Sequence, residues 1–152
     1  MRVADRPQMR FDVDMTPNFA VIRRFVAWIS IVVLGVASWL PGEEMIRTGA
    51  DGRLEHAAAY LISGLAVFTA YPRRLKWLIA ILMMCYAGIL EFGQLWVPGR
   101  HAGILDWAAS SGGVLCALLL YETYQRVYVG WRRRNMKGAP LPARNDRTTR
   151  EC

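Results

Sequence analysis

The chain has 152 residues, a length typical of one domain, and hydrophobic residues make up 54% of it. Lys and Arg number 19 against 12 Asp and Glu, which gives a formal net charge of +7. Because the apolar residues are clustered beside the basic ones, this balance argues against a soluble nucleic-acid-binding domain and indicates a membrane protein whose basic residues set its orientation.

Four apolar runs follow one another along the chain, at residues 25–40, 57–71, 77–97 and 104–124. A bilayer core of about 30 Å needs about 20 helical residues. The first two runs are shorter than that, but Arg23, Arg24 and His56 beside them can sit at the membrane interface. A soluble helical core is disfavoured, because the chain has too little polar surface to cover four such runs. The pattern predicts an all-α integral membrane bundle of about four transmembrane helices.

The first run could instead be a signal peptide, since Val36-Ala37-Ser38 resembles a weak cleavage site. The segment before that run is 24 residues long and contains three acidic residues, Asp5, Asp12 and Asp14. A signal peptide normally begins with a short basic segment. We therefore interpret the run as a retained helix.

The basic residues predict the orientation of the helices. Five precede the first run: Arg2, Arg6, Arg10, Arg23 and Arg24. Three lie between the second and third runs: Arg73, Arg74 and Lys76. Eight follow the fourth run: Arg126, Arg132, Arg133, Arg134, Lys137, Arg144, Arg147 and Arg150. The loops at 41–55 and 98–103 hold only Arg47, Arg53 and Arg100. Basic loops remain in the cytoplasm. We expect both termini to be cytoplasmic and the two basic-poor loops to face outward.

Three regions are expected on this basis: a cytoplasmic N-terminal segment at 1–20, a membrane domain at 21–128 and a tail at 129–152. The tail is basic, contains Gly138, Pro140 and Pro142, and has no apolar period, so it is predicted to be disordered. The tail either serves only as a topological anchor or also binds anionic lipid. Nothing in it indicates a nucleic-acid partner.

Polar residues from three segments fall at one membrane depth. Glu91 lies about 21 Å along the third helix from Trp77, close to the outer boundary, and Gln94 follows one turn later. His56 and Tyr60 begin the second helix. Arg100 stands in the following outer loop, and Asp106 begins the fourth helix. Ionisable groups within apolar runs are costly, so this set is a candidate functional site.

Each member also has a simpler structural interpretation. Asp106 is favourable in the first turn of any helix, His56 suits an interface, and Glu91 could make one isolated hydrogen bond. Taken together, the residues predict a connected network in which Arg100 or His56 neutralises Glu91. A separate pattern, Ala109-x-x-x-Gly113, predicts close helix packing on the fourth helix.

The order of these motifs resembles the VanZ-like family. The matching residues run over about 54–118 and read His56-x-x-x-Tyr60, Glu91-x-x-Gln94, Pro98-Gly99-Arg100, Asp106 and Gly113. The chain departs from the family in two places. The family often has Asp-Lys shortly before the histidine; here Arg53 stands in place of that Lys, and Asp51 is one position out of register with that Asp. Ser110 stands where the family usually has Asn, four residues after the aspartate.

The resemblance implies a small multi-pass protein of the bacterial cytoplasmic (inner) membrane, related to a protein associated with teicoplanin resistance. It supplies no reaction. The first hypothesis is therefore a cell-envelope protein that binds a lipid-linked or cell-wall headgroup, with Arg100 holding an anionic group and Glu91, Gln94 and His56 orienting it.

Two other hypotheses remain open. One is a membrane-embedded hydrolase or transferase that uses His56 with Glu91 or Asp106, although no nucleophile motif is present. The other is a small proton-coupled transporter, which rests on one intramembrane carboxylate. The sequence contains no cofactor motif, and Cys85, Cys116 and Cys152 follow no disulfide or metal spacing.

Overall fold

The structure is a computed structural model that describes residues 17–41, 51–100 and 102–137. These ranges contain four α-helices and no strand. The helices are α1 (Pro17–Trp39), α2 (Gly52–Ala70), α3 (Lys76–Gly93) and α4 (Ile104–Lys137). The all-α prediction is confirmed. Residues 1–16, most of the loop at 41–55, His101 and the last part of the tail lie outside the described residues.

Within the described residues, three stretches are long and apolar enough to cross a membrane: Asn18–Trp39, Arg73–Trp96 and Ile104–Arg132. Large apolar side chains on them are widely exposed, for example Trp28, Ile89 and Leu119. Such surfaces are unusual on a soluble monomer and suit contact with lipid tails. Helix α2 is not among the three, because its first turns carry Arg53, Glu55 and His56.

The helix ends follow from local sequence. Helix α1 begins at Pro17, eight residues before the apolar run, because Pro fits the first turn of a helix, where its missing N–H is not needed. Asp51 caps α2 by accepting a hydrogen bond of 3.1 Å from the Arg53 backbone N–H. Helix α2 ends at Ala70, because Tyr71 precedes Pro72 and is extended. A 3-10 turn over Arg73–Leu75 leads directly into α3.

Small residues let α2 and α4 approach closely. A Cβ atom on Gly113 would collide with the α2 backbone, lying 3.0 Å from the carbonyl carbon of Ala57 and 3.1 Å from the Leu61 nitrogen. In turn, a Cβ atom on Gly64 would lie 2.8 Å from that of Ala117. Gly113 therefore occupies a close helix contact, as the Ala109-x-x-x-Gly113 pattern predicts. Around it lie the most buried side chains, including Phe68 and Val114.

The chain divides into two compact units, Met1–Tyr121 and Glu122–Cys152. The second unit is described only to Lys137, and these residues are all helical. Residues 129–137, which the sequence assigns to the disordered tail, therefore belong to α4. The Arg, Met and Lys residues of this segment favour helix, and the first Pro after residue 129 is Pro140. The rest of the tail, 138–152, lies outside the described residues.

Candidate functional site

The ends of all four helices border one polar cavity in the first unit. Its volume is about 590 Å³. It is lined by Leu34, Ala37, Ser38, Asp51, Gly52, Arg53, Glu55, His56, Ala59, Tyr60, Gln94, Gly99, Arg100 and Asp106. These residues come from the last turns of α1, the N-cap and first turns of α2, the 3-10 turn and loop that follow α3, and the first turn of α4. Consecutive helices therefore run in opposite directions through the bundle.

Five of the six residues predicted from sequence line this cavity: His56, Tyr60, Gln94, Arg100 and Asp106. His56 and Tyr60 are one helical turn apart on α2, so they share one face. Tyr60 is only 3% exposed. The predicted convergence of three segments is present, although not every predicted pair forms.

Glu91 is the sixth residue, and it lies behind the cavity lining. Its side chain is buried at 7% exposure, and its Oε1 accepts a hydrogen bond of 2.6 Å from the backbone N–H of Gly103. Gly103 immediately precedes α4, so Glu91 satisfies a donor at the start of that helix. The positive end of the α4 dipole also favours a carboxylate here. The sequence predicted that Arg100 or His56 would pair with Glu91. In the structure, Glu91 instead accepts from the backbone at the start of α4.

Gln94 belongs to a 3-10 turn, Gln94–Trp96, that follows α3. It is 3% exposed, and it lines the cavity. An amide offers two donors and one acceptor oxygen, so it can hydrogen-bond a group of either kind. Gln94 and Tyr60 are the most deeply buried polar groups of the lining.

Arg100 is placed by a tight turn. The Arg100 backbone N–H donates to the Val97 carbonyl over 3.2 Å, and Gly99 has a positive φ of 73°. A type II turn requires a positive φ at its third position, which Gly99 supplies, and commonly has Pro at its second position, as Pro98 does here. From this turn, Arg100 donates through Nη2 to the Ala37 carbonyl over 2.7 Å and through Nε to the Leu40 carbonyl over 3.2 Å.

These carbonyls lie at the C-terminal end of α1, where backbone acceptors lack helical partners and the dipole favours a cation. Arg100 therefore ties the α3–α4 loop to α1. The role expected from sequence, in which Arg100 holds an anionic group, has to compete with this contact.

Asp106 stands in the first turn of α4, with its Oδ1 atom 3.6 Å from Nε of Arg53. Four polar lining residues were missing from the predicted site: Ser38, Asp51, Arg53 and Glu55. Arg53 could have been found from sequence, because it precedes His56 by three residues and shares its helix face. Ser38 gave no such signal, since it lies in an apolar run and contributes only because α1 ends beside the cavity.

Helix α1 packs against α3 through glycine and aromatic pairs. The Tyr86 hydroxyl donates to the Ile31 carbonyl over 2.9 Å and lies against Gly35. Gly93 faces the Trp39 ring, 3.6 Å from where its Cβ would be. Aromatic rings thus fill the space that these glycines leave.

No protein-family model, curated protein or solved structure matches this chain. The resemblance to the VanZ-like family therefore stays a prediction from the ordered motifs alone. Each of those motifs except Gly113 contributes at least one residue to the cavity lining.

Proposed function

We propose that this chain is a VanZ-like cell-envelope protein whose cavity binds the headgroup of a lipid-linked or cell-wall-derived molecule. The observation that carries the proposal is the cavity itself, at the point where four helix ends meet. Ligand sites are commonly concave, about 300–1,000 Å³ in volume, and provided with a few convergent polar groups. This cavity has that size and those groups.

A four-span arrangement in the bacterial cytoplasmic membrane accompanies the proposal. Helix α2 has 19 residues and is therefore about 29 Å long, close to the thickness of a bilayer core. It runs opposite to α1 and α3, as a helix that crosses the membrane between them would. The distribution of basic residues supports an orientation with both termini in the cytoplasm and the cavity at the outer surface.

The enzyme alternative receives less support from the geometry. It requires Glu91 or Asp106 to tune His56. Glu91 instead contacts Gly103, and Asp106 faces Arg53. The transporter hypothesis is also less supported, because the polar groups cluster at one end of the bundle.

The proposal is tested by filling the cavity without altering its polar groups. Ala59 lines the cavity, whereas its neighbour Ala58 is exposed and does not. The parent protein, Ala59→Phe and Ala58→Phe would be extracted in native membrane discs, and the molecules that co-purify would be identified by mass spectrometry. We expect one headgroup-bearing molecule to be enriched with the parent and with Ala58→Phe and lost from Ala59→Phe. Identical lipid profiles for all three proteins would refute the proposal.

A further inference from the structure

The charged side chains of the cavity are largely engaged at the ends of helices. Asp51 caps α2, and Glu55 stands in its first turn. Behind the lining, Glu91 caps α4. Acidic groups at these positions stabilise helix N-termini whether or not a ligand is present.

The two cations of the lining are engaged as well. Arg100 donates to two carbonyls at the end of α1, and Arg53 faces Asp106. An anionic ligand would have to share each guanidinium with these acceptors. The cavity is therefore poorly arranged for a ligand recognised chiefly by its negative charge.

The remaining polar groups of the lining are uncharged or can be so: Ser38, His56, Tyr60 and Gln94. Two hydroxyls, an imidazole and an amide can each donate and accept hydrogen bonds. Such groups match hydroxyls, which also donate and accept. Tyr60 and Gln94 are the most buried of these groups. A ligand that leaves a buried polar group without a hydrogen bond is strongly disfavoured, so these two residues should discriminate most between ligands.

We infer that the cavity recognises a neutral, hydroxyl-rich headgroup, of the kind a glycosyl lipid carries, through Tyr60, Gln94 and His56. This inference rests on the proposed function and names the chemical class of its ligand. Arg100 and Glu91 shape the cavity by holding α1 and α4, and they need not touch the ligand.

The test compares three probes on the purified protein in phosphatidylcholine discs. Glucosyl-diacylglycerol carries the headgroup on a lipid, methyl glucoside carries it without one, and phosphatidic acid carries a bare anionic phosphate. Binding would be followed by native mass spectrometry and by the shift in thermal stability. We expect glucosyl-diacylglycerol to bind at least about tenfold more tightly than phosphatidic acid, a difference equivalent to two hydrogen bonds. Competition by methyl glucoside would show that the sugar itself is recognised, and its failure to compete would overturn recognition of the sugar by the cavity.

Two variants remove single hydrogen-bonding groups while keeping side-chain volume, Tyr60→Phe and Gln94→Met. Each is expected to weaken glucosyl-diacylglycerol binding about 3- to 10-fold. The matched control is Tyr121→Phe, since Tyr121 is buried on α4, where it stacks on Phe68 and does not line the cavity. Its binding should equal that of the parent.

The outcomes separate this inference from the proposed function. Preferential binding of phosphatidic acid, lost in Ala59→Phe, would overturn the inference and leave a headgroup site in place. Failure of glucosyl-diacylglycerol to bind, or binding unaffected by Tyr60→Phe and Gln94→Met, would also overturn it. Insensitivity of every co-purifying molecule to Ala59→Phe would remove the proposed function itself.

Discussion

The Glu91 carboxylate, near the end of α3, accepts a hydrogen bond of 2.6 Å from the backbone N–H of Gly103, the residue before α4. This single contact joins two helices that are separated along the chain by a loop. Arg100, in the same loop, donates to the end of α1. The two contacts together connect the α3–α4 loop with α1, α3 and α4. Glu91, a charged residue within an apolar run, therefore has a structural role as the cap of α4.

Replacing Glu91 separates this capping task from ligand recognition. Glu91→Leu should lower the free energy of unfolding by about 1–3 kcal/mol, because the partly buried Gly103 N–H would lose its acceptor. Glu91→Gln should lower it less, since the amide oxygen can still accept. The free energy would be measured by SDS titration, with Ile89→Ala as an exposed control on the same helix. Equal stability of Glu91→Leu and the control would contradict the capping role.

Arg100 should also behave as a structural residue. Arg100→Ala removes both donors to the α1 carbonyls, and we expect a loss of about 1–2 kcal/mol in the free energy of unfolding. Arg100→Lys should recover only part of the loss, because an ammonium lacks the planar fork that reaches both carbonyls. Arg74→Ala, which changes an exposed residue of the α2–α3 turn, serves as the control. The assignment fails if Arg100→Ala is as stable as Arg74→Ala.

Two adjacent glycines on α4 provide a matched pair. Gly113→Ala should lower stability by about 1–3 kcal/mol or prevent folding, because its Cβ would meet the Ala57 carbonyl group on α2. A Cβ atom added at Gly112 would have nothing within 4 Å, so Gly112→Ala should be neutral or raise stability by up to about 1 kcal/mol. Thermal unfolding in detergent would rank the two variants. The same midpoint for both would show that α2 and α4 are not this close.

The orientation of the bundle can be tested with single cysteines in a cysteine-free background. A membrane-impermeant maleimide should label Thr48→Cys in intact cells, because the loop at 41–55 is predicted to face outward. Arg74→Cys and Gly138→Cys should be labelled only after the membrane is permeabilised. Labelling of Thr48→Cys and Arg74→Cys from the same side would mean that α2 does not cross the membrane.

Much of the architecture could be predicted from the sequence. The four apolar runs correspond to the four helices, and Pro72 and the Pro98-Gly99 pair mark the turns between them. The boundaries were less accurate. Helix α1 begins before its apolar run and α4 extends beyond its own, because helix formation depends on backbone hydrogen bonding and continues through Arg and Lys.

The candidate site was predicted as a group of residues but not as a set of contacts. Helical spacing and depth brought His56, Tyr60, Gln94, Arg100 and Asp106 to one level, and these residues do line one cavity. Spacing does not specify which neighbours each side chain finds. The bond from Gly103 to Glu91 and those from Arg100 to α1 both involve backbone atoms, which every residue has and no motif reveals.

The sequence by itself determined that the chain is all-helical, with apolar stretches long enough to cross a membrane, because apolar length and side-chain periodicity depend only on local order along the chain. The tertiary structure alone decided which polar residues complete helix ends and which face the cavity. That division depends on where four separate helices terminate in space, and only their packing brings those ends together.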